Sequence, residues 1–167
     1  MERKTRILVS IVVATVFMLA VVGSVSAATY EALAGVKSIK AIFDVRDSNV
    51  KSAAVHIKLI HDTYKDKSIM AVSKKPSFIV AFMGPSVKLI SMNKQGFSME
   101  DQKSMDEIAQ TVQAMSKDGI KLEVCDFAAK VFGVDPASIL PEIKHVPNGW
   151  VSLIGYQARG YSLVPAY

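Results

Sequence analysis

The sequence predicts an α/β domain built on a parallel sheet, and three observations carry that expectation. Strand-like and helix-like hydrophobic periods alternate along the chain, as in successive βαβ units. One run, residues 77–83 (SFIVAFM), is almost continuously apolar, as a strand buried on both faces requires. Composition is the third: 167 residues, 50% apolar and 21% charged, with 9 glycines and 6 prolines, suffice for one packed domain and exclude disordered or collagen-like chains.

The elements follow in order. Residues 37–45 (KSIKAIFDV) are a β-branched run bounded by polar residues and predict the first strand. A helix is expected over 48–65, where Val50, Ala54, Ile57, His61 and Tyr64 recur at helical spacing behind Ser48 or Asn49 as N-cap. The second strand, 77–83, ends at Gly84-Pro85; a short helix is expected at 87–91 and a polar loop at 92–98. Met105, Ile108, Ala109, Val112 and Met115 stripe a helix over 99–117 that stops at Asp118-Gly119. The third strand is 120–125 (IKLEVC), followed by a short helix at 127–132 ended by Gly133 and an irregular turn at 135–143. A short strand at 144–146, a helix from Asn148 or Gly149 to Arg159 and a last strand at 160–164 complete five strands, with no internal repeat.

The net charge of +5 is partly an N-terminal effect. Glu2, Arg3, Lys4 and Arg6 precede an apolar run from Ile7 to Val22, and small residues follow at Val25 and Ala27. This order predicts a secretory signal peptide over 1–27, cleaved after Ala27, a short linker over 28–35 and one domain over 36–167. The protein is then exported, to the periplasm or another extracytoplasmic space. The alternative is an uncleaved N-terminal membrane anchor, since the run approaches the ~17 residues that span a bilayer. The remaining 140 residues carry +3, with lysines scattered among acids and no basic stripe interleaved with aromatics, so no nucleic-acid partner is expected.

Motifs exclude more than they assign. Without GxGxxG, GxxxxGK[ST] or GxSxG, the chain lacks dinucleotide, P-loop and serine-hydrolase signatures. One cysteine permits neither an intrachain disulfide nor a cysteine-cluster metal site. His56 and His61 stand about 140° apart on a helix and cannot share a metal from one face, and His145 beside Pro147 reads as structural. No metal site is expected. Ligand sites in open α/β sheets form at the carboxyl ends of strands. Gly84 and Ser86 follow the second strand, and Asn148 and Gly149 follow the fourth, so these four are candidate binding residues of a strand-end pocket. Cys125 ends the third strand before a helix, whose N-terminus favours an anionic sulfur while Asp126 opposes it; it is the candidate nucleophile, and on position alone a buried, inert cysteine is the competing expectation.

The segment LEVCDFAAKVFGVD (122–135) resembles the strand–cysteine–helix segment of DsrE/DsrF-like proteins. FIVAFMGPSVKLI (78–90) is similar to that family's second strand and Gly-Pro turn, and VPNGWVSLIGYQARGYSLV (146–164) to its C-terminal Val-Pro-x-Gly, helix and Gly-Tyr ending. With SIKAIFDV (38–45), the resemblance covers nearly all of 36–165. It implies a three-layer α/β/α domain with a mostly parallel five-stranded sheet, assembled into homo-oligomers, trimers or hexamers. It also implies sulfur relay: sulfane sulfur held as a persulfide on the cysteine matched by Cys125, received from a donor and passed to an acceptor protein, with no metal or organic cofactor. Two departures stand out. Relay members carry basic residues just before the glycine of this segment, where this chain has Val131-Phe132-Gly133, and they are cytoplasmic. The competing expectation is a non-catalytic oligomeric binding module in which Cys125 is buried and inert. Composition leaves two readings of Phe78, Phe82, Trp150, Tyr156 and Tyr161, that all are core or that part of the set lines a subunit interface, and the resemblance favours the interface.

Overall fold

The computed structural model describes residues 30–167. The expected signal peptide lies outside the described residues, as do positions 28 and 29 of the linker, whose remainder holds a single 3-10 turn at Glu31–Leu33. No helix among the described residues is long and apolar enough to cross a membrane.

In chain order the elements are β1 (Lys40–Val45), α1 (Val50–Tyr64), α2 (Lys67–Val72), β2 (Ser77–Phe82), α3 (Met99–Lys117), β3 (Lys121–Cys125), α4 (Asp126–Val131), β4 (Lys144–Val146), α5 (Gly149–Ala158) and β5 (Ser162–Ala166). The strands form one sheet in the order β4-β3-β2-β1-β5, and all four pairings are parallel. The α/β class and the five strands are as expected.

Register sorts the side chains onto two faces. Phe43, Val45, Phe78, Val80, Phe82, Leu122 and Val124 share the face covered by α1 and α3, where Tyr64 of α1 meets Phe78 edge-on at 5.4 Å. The buried stripe of α3, Met105, Ile108, Val112 and Met115, and Ile57 of α1 complete that core. The two helices are also tied at their ends. His61 Nε2 lies 2.6 Å and Lys65 Nζ 2.8 Å from the Asp118 carboxylate, at the C-cap of α3. The Lys65 bond first, then that of His61, holds the Asp118 carboxyl below its usual range. The opposite face carries Ile42, Asp44, Ile79, Ala81, Glu123 and Cys125 and lies beneath α5.

Several boundaries shift by a few residues, β1 beginning at Lys40 rather than at 37, and three larger differences have local reasons. The helix expected at 87–91 is a 3-10 turn at Gly84–Lys88, because Pro85 opens it directly at the strand end. The last strand is Ser162–Ala166 rather than 160–164. Gly160 takes φ +82°, and the Tyr161 N–H returns to Tyr156 O, closing α5 with a Schellman turn before the strand begins. Helix α2 was not expected, for it has six residues with only Ser68 buried, so no apolar period announces it; Asp66 caps it by accepting from Ser68 N at 2.7 Å. Pro165 falls on the outer side of edge strand β5, since Ala166 O accepts from Arg46 N on the inner side, and there its missing N–H costs the ladder nothing.

Candidate functional site

A cavity of about 300 Å³ opens at the carboxyl edge of the sheet, where β1, β2 and β3 end. Arg46, one residue past β1, lines it beside Met83 and Gly84 past β2 and Cys125 at the end of β3. Phe127, Ala128, Val131 and Phe132 close one side, and Asn148 and Trp150 the other. Gly84 has φ +57°, a conformation side chains resist, and thereby turns the chain sharply out of β2.

Cys125 is 5% exposed and is the N-cap of α4. Its Sγ accepts from two backbone amides, Ala128 N at 3.4 Å and Gly149 N at 3.2 Å. The second contact needs the start of α5 to lie against the sheet, and Gly149 permits this: a Cβ there would stand 2.3 Å from Met83 Sδ and 3.1 Å from Cys125 Cβ. Asp126, beside the cysteine, is paired with His145 Nδ1 at 2.6 Å.

Of the residues expected to form a strand-end pocket, Gly84, Cys125 and Asn148 line the cavity together. Asn148 is also the cap of α5, accepting from Trp150 N at 2.9 Å. Gly149 sits behind the lining as the close-approach residue. Ser86 is not brought to the cavity: it is 1% exposed, and its hydroxyl is directed to the carbonyls of Val45 and Met83 at 2.8 and 2.9 Å, tying β1 to the turn after β2. Arg46 escaped sequence reasoning, although its position at a strand end was the available signal. Its Nε lies 2.9 Å from both oxygens of Asp44, a buried carboxylate one pleat below.

Beneath the cavity, Glu123 shares the face of Cys125. Its Oε1 accepts from Tyr156 OH at 2.8 Å, while Oε2 is buried without a partner among the described residues. Burial first, then the bond to Glu123, raises the Tyr156 hydroxyl to about 12. A second cavity of about 360 Å³ shares the Phe132 wall; it is polar, with Ser91 and Ser138 hydroxyls 2.7 Å apart and Lys88 stacked over Phe132 at 5.7 Å. The histidines pair with aspartates, His56 with Asp47 and His61 with Asp118, and among the described residues no three His, Cys, Asp or Glu side chains gather to hold a metal.

Comparison with solved structures supports the architecture. A protein of unknown function from Methanobacterium thermoautotrophicum superposes with a TM-score of 0.59 at 12% identity, over 77% of this chain and 99% of that one. The ychN protein of E. coli gives 0.52 at 10% identity, over 76% and 99%. At these identities the likeness is one of fold. An uncharacterized protein of Aquifex aeolicus is 20% identical over 128 residues, 76% of this chain, which spans 56% of that relative's length. The model of the DsrE/DsrF-like family matches residues 40–165, nearly the whole sheet and both of its helical layers, and on that match the chain belongs to the DsrE/DsrF-like family.

Proposed function

We propose that this protein is a sulfur-relay carrier that holds sulfane sulfur as a persulfide on Cys125. The observation that carries the reading is the setting of Sγ: two backbone N–H donors meet the sulfur on the floor of a strand-end cavity. Such donors suit a sulfur that bears negative charge while it attacks and again when it leaves. The Cys125 thiolate attacks the terminal sulfur of a donor, the donor's S–S bond breaks, and an acceptor thiolate later attacks the outer sulfur of the Cys125 persulfide.

Mass spectrometry of the protein isolated from its native compartment, then challenged with a sulfane-sulfur donor, tests this. One added sulfur atom on wild type and none on Cys125→Ser is the expected result. A thiol that takes sulfur only after unfolding would favour the binding-module reading, which the 5% exposure of Cys125 also favours. The same spectrum reads the N-terminus, where an exported, cleaved chain begins at Ala28.

Self-assembly belongs to the same reading. The outer side of α5 presents Trp150, Val151 and Ile154, each more than three-fifths exposed, although the helix already buries Leu153 on its inner side. A helix apolar all round wants a second partner. Gly155 beside them has open space where a Cβ would stand, so the backbone of a second copy can approach closely there. Sedimentation is expected to show a homo-oligomer, trimer or hexamer, and Ile154→Glu a smaller species; a wild-type monomer at micromolar concentration would count against it.

A further inference from the structure

We infer that the sulfur donor taken by this cavity is an organic persulfide with an uncharged, apolar carrying group, rather than thiosulfate or a charged thiol persulfide. The inference rests on the carrier role of Cys125.

The sulfur of a cysteine that is 5% exposed is reached through its cavity, so the lining selects the donor. Met83, Phe127, Ala128, Val131, Phe132 and Trp150 make that lining apolar. Arg46 is the one charged side chain among the described residues that line it, and both oxygens of Asp44 lie 2.9 Å from the Arg46 Nε, so the cation is already compensated. Lys88 is held over Phe132, in the neighbouring cavity. Asp126, next to the cysteine, adds an anion paired with His145.

A dianion entering this space sheds its water and meets no unpaired cation. An apolar group entering it sheds water at a gain, and Phe127, 66% exposed, offers it uncovered apolar surface on the way in. With a donor R–S–SH, the Cys125 sulfur bonds to the terminal sulfur and the donor's S–S bond breaks. The bonding pair departs with R–S⁻, and the transferred sulfur keeps its proton, giving Cys125–S–SH.

The test compares benzyl persulfide, glutathione persulfide and thiosulfate on the reduced protein, each labelling rate divided by that reagent's rate with N-acetylcysteine. Benzyl persulfide is expected to lead by about tenfold or more, the scale on which apolar pockets discriminate. Val131→Arg, at a side chain 61% exposed, adds a cation to the lining and is expected to raise the thiosulfate rate severalfold while the protein still folds. Equal normalised rates, or a lead for thiosulfate, would overturn this inference and leave the carrier role standing. No sulfur on Cys125 from any of the three would overturn the carrier role itself.

Discussion

Gly149→Ala is expected to lower the stability of the domain by about 1 to 3 kcal/mol, the usual cost of forcing a methyl group into a filled core. The new Cβ would stand 2.3 Å from Met83 Sδ and 2.9 Å from its Cγ, both far below contact distance. Met83 can swing, but it is 3% exposed and has little room; Cys125 Cβ, at 3.1 Å, cannot swing at all. The cheapest relief is for the start of α5 to lift from the sheet, which draws the Gly149 N–H away from Sγ and leaves Ala128 N as its sole amide donor. Two measurements follow together. Urea unfolding should show the loss of stability, and alkylation of Cys125 under native conditions should speed up as its roof opens. Unchanged stability and an unchanged alkylation rate would show that α5 is not seated by this glycine.

That glycine also marks the border of what the sequence makes legible. Residues 77–83 announce a buried strand because burial on both faces leaves no polar alternation, and 99–117 announce a helix because Met105, Ile108, Val112 and Met115 repeat at its period; both stand as expected. Cys125 was legible as a strand end facing a helix start, since that is a local pattern. The functions of Gly149 and Ser86 were not, because each depends on atoms from other elements: Met83 and Cys125 for the one, Val45 O and Met83 O for the other. Arg46 stands two residues after Asp44, a local relation, but only the assembled sheet brings it into one cavity with the cysteine. Among the large side chains that composition leaves open between core and interface, Phe78, Phe82 and Tyr161 are buried, Tyr156 is half-buried, and Trp150 alone is left largely in solvent. Composition counts aromatic side chains; only the packing of α5 across the sheet decides which of them it covers.

The polar pair beneath the cysteine should be equally sensitive. Tyr156→Phe removes the donor to Glu123 Oε1, and Oε2 has none among the described residues, so the carboxyl group of a residue only 6% exposed would lose the one hydrogen bond those residues give it. The expected cost is about 1.5 to 3 kcal/mol, as for hydrogen bonds to charged groups. Glu123→Leu combined with Tyr156→Phe should regain most of it, since an apolar pair leaves nothing unsatisfied. The wild type also carries a signature in alkali. Burial and the Glu123 bond raise the Tyr156 hydroxyl from 10.0 to about 12, so the fold favours the neutral phenol. That contribution is whole below pH 10 and fades as the pH rises through 12, because the unfolded chain ionises first. The stability gap between wild type and Tyr156→Phe, read from urea unfolding, is therefore expected to narrow across this interval. A gap that holds constant across this interval would overturn the role given to the Glu123 bond, and no gap at all would mean that Tyr156 supports the fold by its ring alone, packed 5.1 Å from that of Tyr161, a contact that phenylalanine keeps.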